Sequence, residues 1–269
     1  MHIKLNILLF FLLLFFIFYL IFGVFLFFNQ KNMLYFPDNQ DFNNCPGFLD
    51  YEKINHNGTR FYYQNVSNDD VIVYYHGNAG SACDRARFRS TFEKTNKSLI
   101  FVEYAGYSDD KRKPSKDLIL NDVRNIDDFI RKSNFKNIFV YGQSLGSGAA
   151  SYHANIGRVN HIILVSSFSS IADVAQSRFL IYPARLILTE NFDNVKWLEA
   201  FDGNIIFFHG DRDHVVPQRF SKKLYETIHA ENKSYVLIED YGHNDIWNSE
   251  KFKRDLVNFI KNPQNQTTV

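Results

Sequence analysis

The sequence predicts an α/β fold: a mostly parallel central sheet flanked by helices, preceded by one N-terminal transmembrane helix. Three observations carry the prediction. Residues 7–28 contain no charge. Short apolar runs recur at 71–75, 98–104, 137–141, 161–165, 204–208 and 234–238, each of a length that suits a strand buried on both faces. Helical periodicity occupies several of the intervals, and strands alternating with helices mean βαβ units.

The apolar helix comes first. About 22 residues rise ~33 Å as a helix, enough for a hydrocarbon core of ~30 Å. Only Tyr19 and Gly23 soften the run of Leu, Ile, Val and Phe, and the polar face of a buried core helix is missing. A cleaved signal peptide is the other reading. Its apolar stretch is normally shorter and ends in small residues, whereas Phe27-Phe28-Asn29-Gln30-Lys31 follows here. Residues 1–30 are therefore read as an uncleaved anchor meeting the lipid bilayer through residues 7–28, and 31–269 as one continuous domain. Lys4 before the span and Lys31 after it bias its orientation only slightly. Sequons at Asn57, Asn65, Asn96, Asn232 and Asn265 suit a translocated domain, although about two or three are expected by chance in so Asn-rich a chain. Cys45 and Cys83 are read as unpaired thiols; a bridge between them would also suit translocation. The reading leans to a domain outside the cytoplasm.

The later elements follow in order. Residues 50–55 and 60–64 flank the turn dipeptide Asn57-Gly58 and form a hairpin. Residues 81–94 are polar enough for a surface helix. Ile119, Val123, Ile126 and Ile130 make one apolar stripe, with Pro114 at the helix start, where a missing N–H costs nothing. Phe252, Leu256 and Phe259 repeat the stripe near the C-terminus.

Composition bounds the function. The 269 residues, 45% of them hydrophobic, suffice for a full core in one domain. A net charge of +1 argues against a nucleic-acid partner held by a broad basic face. Two cysteines outside any C-x-x-C pair exclude a four-cysteine zinc site and give a thioredoxin-like role no support. No H-E-x-x-H or comparable ligand spacing occurs, so neither metal nor organic cofactor is expected.

In parallel sheets chemistry gathers at the carboxyl ends of the strands. The run 137–141 leads into Gly142-Gln143-Ser144-Leu145-Gly146, a G-x-S-x-G pattern at a strand-to-helix junction. Such a turn is sharp and strained, and it throws the serine hydroxyl out above the sheet edge. The helix N-terminus adds positive potential where an oxyanion forms. A dinucleotide-binding loop is the competing reading, but Gly146-Ser147-Gly148 lacks the third glycine and does not lie in the first βα unit.

Serine needs a base, and in this arrangement the partners follow as serine, acid, histidine. The run 204–208 ends in His209-Gly210-Asp211-Arg212-Asp213, and the run 234–238 is followed by Glu239-Asp240-Tyr241-Gly242-His243. His243 is the candidate base, and either Asp211 or Asp213 can hold its imidazole. Asp240 and Asp245 are read as capping or solvent-facing, His209 and His214 as structural or exposed. After the run 71–75 comes His76-Gly77-Asn78-Ala79-Gly80. Acyl transfer needs two backbone donors aimed at the oxyanion, and the Asn78 and Leu145 amides are best placed. Taken alone, this loop would be a simple turn with His76 as a packing residue.

With these motifs the chain resembles the α/β-hydrolase superfamily, and most closely its membrane-anchored ABHD-type serine hydrolases and their bacterial relatives. The resemblance runs from about Leu34 to the last helix. Leu34-Tyr35-Phe36-Pro37 is similar to a motif that follows the anchor in that branch, and His76-Gly77-Asn78-Ala79-Gly80 to its oxyanion loop. Tyr104-Ala105-Gly106-Tyr107-Ser108 resembles its Tyr-x-Gly-Tyr-Gly stretch, with Ser108 in place of a glycine. Ser167-Phe168-Ser169-Ser170-Ile171 and Phe192-Asp193-Asn194 also match. His209-Gly210-x-x-Asp213 and Gly242-His243 fall on the family's acid and base, which favours Asp213 over Asp211.

The resemblance implies an α/β-hydrolase fold and serine hydrolysis of an acyl ester or thioester, often on lipids or acylated proteins. It implies Ser144, Asp213 and His243 as catalytic residues and Asn78 and Leu145 as the oxyanion hole. The cysteine cluster by which some relatives are palmitoylated is missing, which puts protein depalmitoylation in doubt. Residues 169–200 are read as a short cap. Its apolar Phe179, Leu180, Ile181, Tyr182, Leu186 and Ile187 suit an acyl-chain groove or ordinary core packing. The alternatives are an inactive hydrolase-fold scaffold and a peptidase that uses the same triad.

Overall fold

A computed structural model describes residues 2–264. In chain order the elements are α1 (His2–Leu34), β1 (Phe36–Pro37), β2 (Glu52–His56), β3 (Thr59–Gln64), β4 (Asp70–Tyr75), β5 (Ala79–Gly80), α2 (Arg89–Glu93), β6 (Ser98–Glu103), α3 (Lys116–Lys132) and β7 (Asn137–Gln143). There follow α4 (Leu145–Ile156), β8 (His161–Val165), α5 (Ile171–Arg178), α6 (Ala184–Ile187), α7 (Asn194–Trp197), β9 (Asn204–Gly210), α8 (Arg219–Thr227), β10 (Lys233–Ile238) and α9 (Glu250–Lys261). Eight strands form one sheet in the order β10-β9-β8-β7-β4-β6-β3-β2, parallel from β10 through β6 and antiparallel only where β3 meets β6 and β2.

Strand alternation sends neighbouring side chains to opposite faces. In β4, Val71, Val73 and Tyr75 join the apolar layer under α3, α4 and α8, while Ile72 and Tyr74 join the layer that holds α2 and α9. This double burial is why the strands read as unbroken apolar runs. The predicted stripe of α3 is buried at Ile119, Val123, Ile126 and Ile130. Pro114, however, precedes the helix cap: Ser115 is the N-cap and its hydroxyl accepts from the Leu118 amide at 3.4 Å.

Two expectations are corrected. Cys45 and Cys83 are joined in a disulfide, with Cα atoms 5.7 Å apart, because the turns around residues 42–48 pack directly on residues 83–88. The stretch 81–94 is not one surface helix. It is a 3-10 segment, Cys83–Phe88, followed by the single turn of α2, and its Phe88, Thr91 and Phe92 are buried. The bridge pins the start of that segment while the phenylalanines turn into the core.

Among the described residues α1 is the one helix long and apolar enough to cross a membrane. It does not stop at residue 30 but continues to Leu34. The sequon asparagines Asn57, Asn65, Asn96 and Asn232 are exposed, although Thr59, Ser98 and Ser234 of three of those sequons are buried; Asn265 lies outside the described residues.

Candidate active site

Ser144 is the residue between β7 and α4, and its backbone holds φ 52° and ψ −121°. A non-glycine residue there costs of order 1–3 kcal/mol and persists only where the surroundings enforce it. The enforcement is local. The Ser144 amide donates to the Val165 carbonyl of β8 at 2.9 Å, and the Ser147 amide donates to the Ser144 carbonyl at 2.9 Å. The flanking glycines permit the turn by close approach. A Cβ on Gly142 would collide with the Gly146 carbonyl, and one on Gly146 would collide with the carbonyls of Tyr75 and His76. As the first residue of α4, Leu145 carries an amide with no acceptor inside the helix.

Backbone hydrogen bonds stitch the neighbouring strand ends together. Beyond the Ser144–Val165 bond, the Ser166 amide donates to Phe208 and the Asp211 amide to Ile238. The loops after β7, β9 and β10 therefore lie side by side at one rim. Asp213 is buried there, with one carboxylate oxygen 2.7 Å from His243 Nδ1. Its other oxygen accepts from the amides of Val215 and Val216 at 2.9 and 2.8 Å. Burial by itself would raise its pKa. The bonds from His209 and His243 outweigh that and hold the carboxyl well below the usual range, so the group is ionised. An acceptor-only carboxylate leaves His243 Nδ1 as the donor and Nε2 as the free base.

The competing acids are separated by orientation. Asp211 is exposed, Asp240 pairs at the surface with Arg212, and Asp245 accepts from the Gly242 amide at 2.6 Å. Gln143, next to Ser144, donates to the His243 carbonyl at 3.5 Å and accepts from Trp247 Nε1 at 3.2 Å. Among the described residues the Ser144 hydroxyl is not hydrogen-bonded to the imidazole; such bonds commonly tighten only when substrate is present.

Asn78 lines the same cavity as Ser144, next to Gly77, which lies against Gln143 and Ser144. Its carbonyl accepts from the Phe36 amide at 2.9 Å and from Tyr107 Oη at 2.8 Å, and its side chain donates to the Leu34 carbonyl at 2.8 Å. Beneath the loop, His76 is buried with Nε2 3.5 Å from Glu103, while Tyr104 Oη donates to the His76 carbonyl at 2.9 Å. His76 braces the loop, as its packing interpretation expects. His209, read as structural or exposed, is buried and structural, with Nε2 3.3 Å from Asp213 and 2.9 Å from the Val216 carbonyl, and so holds the acid in place. Two contributors were missed in the sequence, Gln143 and Tyr107, because nothing local signals a contact across about 100 residues or to a neighbouring loop.

Ser144, Leu145 and Asn78 open on a cavity of about 460 Å³. Its walls come from residues 171–188, including Phe179, Tyr182 and Ile187, and from α1. These three apolar side chains thus face the cavity. Leu180, Ile181 and Leu186 are strongly exposed.

The protein class follows from this rim on this sheet, and comparison with known proteins agrees. The chain has the α/β-hydrolase fold, and in sequence it resembles proteins named as α/β-hydrolases. The proteins it resembles include an ABHD-type lipase and bacterial proteins. It is 29% identical over 210 residues to the uncharacterised protein YfhR of Escherichia coli O157:H7, covering 72% of each chain. It is 26% identical over 232 residues to the lysophosphatidylserine lipase ABHD12 of Xenopus tropicalis, covering 73% of this chain and 58% of that protein. An esterase structure from Pyrococcus furiosus superposes with a TM-score of 0.65 at 16% identity, covering 85% of this chain and 97% of that one, a likeness of fold. No family model matches the chain.

Proposed function

We propose that the protein is a membrane-anchored serine hydrolase that cleaves acyl ester or thioester bonds through Ser144, His243 and Asp213. The Asp213–His243 pair, beside a strained serine at the floor of an apolar cavity, carries the proposal. Ser144 Oγ attacks the acyl carbonyl as His243 Nε2 takes its proton. The Asn78 and Leu145 amides hold the oxyanion. His243 returns the proton to the leaving alcohol or thiol, and water then releases the acyl group by the same route. Ionised Asp213 keeps Nδ1 protonated and stabilises the imidazolium. The similarity to a protein named as a lysophosphatidylserine lipase supports an ester-bearing substrate.

In this reading α1 stays attached as the anchor, and the domain faces an oxidising compartment. The Cys45–Cys83 bridge and four exposed sequon asparagines support that side of the membrane. The test is fluorophosphonate labelling of the purified full chain, with turnover of p-nitrophenyl butyrate. Labelling that disappears in Ser144→Ala, together with loss of turnover, is expected. A folded wild type that takes no label, or a Ser144→Ala variant that still takes it, would favour the inactive scaffold.

A further inference from the structure

One face of α1 is not free. Tyr19, Gly23, Leu26, Gln30 and Leu34 recur at helical spacing and turn toward the domain. The Tyr19 ring stacks on Tyr182 with centroids 4.5 Å apart. Tyr19 Oη donates to the Ile181 carbonyl at 3.0 Å, and Tyr182 Oη returns a bond to the Tyr19 carbonyl at 2.9 Å. At Gly23 a Cβ would press on the Tyr182 ring at 3.1 Å, so the absent side chain lets that ring lie against the helix. Farther along, Gln30 Oε1 accepts from the Thr189 amide at 2.7 Å and Gln30 Nε2 donates to the Ile187 carbonyl at 3.2 Å. The opposite side, with Phe18, Ile21, Phe25 and Phe28, is exposed.

The cavity above Ser144 runs between these two clamps. Leu26, Phe27 and Met33 of α1 form one wall, and Phe179, Ile187 and Leu188 of the cap form the other. Its volume of about 460 Å³ falls within the ~300–1,000 Å³ of sites that enclose a small organic ligand. Phe179 and Tyr182, which line the slot, flank the cap tip, and the tip's Leu180, Ile181 and nearby Leu186 are 79%, 66% and 86% exposed. Helix length gives the depth of that tip. From Ile7, where the uncharged run begins, to Phe18 the freely exposed part of α1 rises only ~18 Å, short of a hydrocarbon core of ~30 Å. The missing ~12 Å must come from about the next two turns, which start at Tyr19, where the cap tip is bonded. The exposed leucines and isoleucine therefore lie at hydrocarbon level.

We infer that α1 is a wall of the substrate site as well as an anchor, and that the slot takes the acyl chain of an ester lipid resident in the bilayer. The chain passes from hydrocarbon along α1 to Ser144 without crossing water. This inference rests on the hydrolase reading above.

The test uses the full chain in phosphatidylcholine vesicles, with Leu26→Trp to fill the slot and Ile21→Trp on the lipid-facing side as control. With monomeric p-nitrophenyl esters from butyrate to decanoate, kcat/KM of the wild type is expected to climb by up to about fourfold per methylene (about 0.8 kcal/mol) until the slot is full. Leu26→Trp is expected to lower the decanoate-to-butyrate ratio by tenfold or more, and Ile21→Trp to leave it at the wild-type value. A ratio equal in both variants would overturn the slot. A monoacylglycerol placed in the enzyme's own vesicles is expected to turn over at least tenfold faster than the same lipid in separate vesicles. Equal rates would overturn the bilayer route. An S-acylated peptide cleaved faster than the lipid at equal surface density would overturn the lipid assignment. Loss of all ester turnover and of fluorophosphonate labelling in the folded wild type would instead remove the hydrolase reading beneath it.

Discussion

Replacing Asp213 with Asn tests the candidate site most directly, because the surrounding bonds dictate which way the amide must face. One Asp213 oxygen receives the Val215 and Val216 amides at 2.9 and 2.8 Å. That position must stay a carbonyl, so the new NH2 points at His243 Nδ1, 2.7 Å away in the native chain, and toward His209 Nε2 at 3.3 Å. A donor facing Nδ1 forces that nitrogen to accept, and the imidazole proton moves to Nε2. The ring then has no lone pair to take the Ser144 proton. The wrong tautomer at such a triad costs about 10⁴ in kcat, or about 5 kcal/mol in the barrier. The assay is kcat for p-nitrophenyl butyrate, with a urea midpoint to establish folding. Asp211→Asn is the control: Asp211 is exposed, and a change there is expected to stay within about twofold. A folded Asp213→Asn enzyme within tenfold of wild type, or one indistinguishable from Asp211→Asn, would refute the reasoning.

Other outcomes follow from the same geometry. Ser144→Gly is expected to be more stable than Ser144→Ala by about 1–3 kcal/mol in urea denaturation, since only glycine relieves the φ of 52°; equal midpoints would show that the turn is unstrained. Removing both cysteines as Cys45→Ser/Cys83→Ser is expected to cost about 4 kcal/mol for a separation of 38 residues, read in the same way under non-reducing conditions. Asp122 is buried, and burial raises its pKa to about 6 despite hydrogen bonds from Ala105 and Thr59. Its folded pKa exceeds the unfolded value of about 3.9, so the folded state holds the extra proton between them, and the contribution of Asp122 to stability falls as pH rises from 4 to beyond 6. Relative to Asp122→Asn, which cannot titrate, the wild type is expected to lose up to about 3 kcal/mol across that window. A difference in urea midpoints that is flat or grows with pH would contradict this.

Local chemistry was legible in the sequence wherever the backbone needed it locally. Gly142 and Gly146 flank Ser144 because the turn brings their Cα atoms against neighbouring carbonyls, and that need shows as a pattern five residues long. The strands showed as apolar runs because both faces of the sheet are covered. Asp211 and Asp213 could not be separated by such reasoning, being two residues apart on one loop. The structure separates them by direction, one buried against two amides and two imidazoles, the other facing solvent.

The same division explains the cysteines and the anchor. Nothing in a spacing of 38 residues says that two Cα atoms meet at 5.7 Å; the packing of two turned segments decides it. Tyr19 and Gly23 stood out in the sequence only as interruptions of an apolar run. They mark the docking face of α1 because Tyr182, more than 150 residues later, lies flat against them. Periodicity and turn chemistry are properties of a few consecutive residues under fixed covalent geometry, and so the sequence by itself determined the fold class and the serine turn, while its preference for Asp213 came from resemblance and not from local chemistry. The burial of Asp213 against His243, the bridge and the wall that α1 lends to the cavity depend on how distant segments pack, and only the tertiary structure decided them.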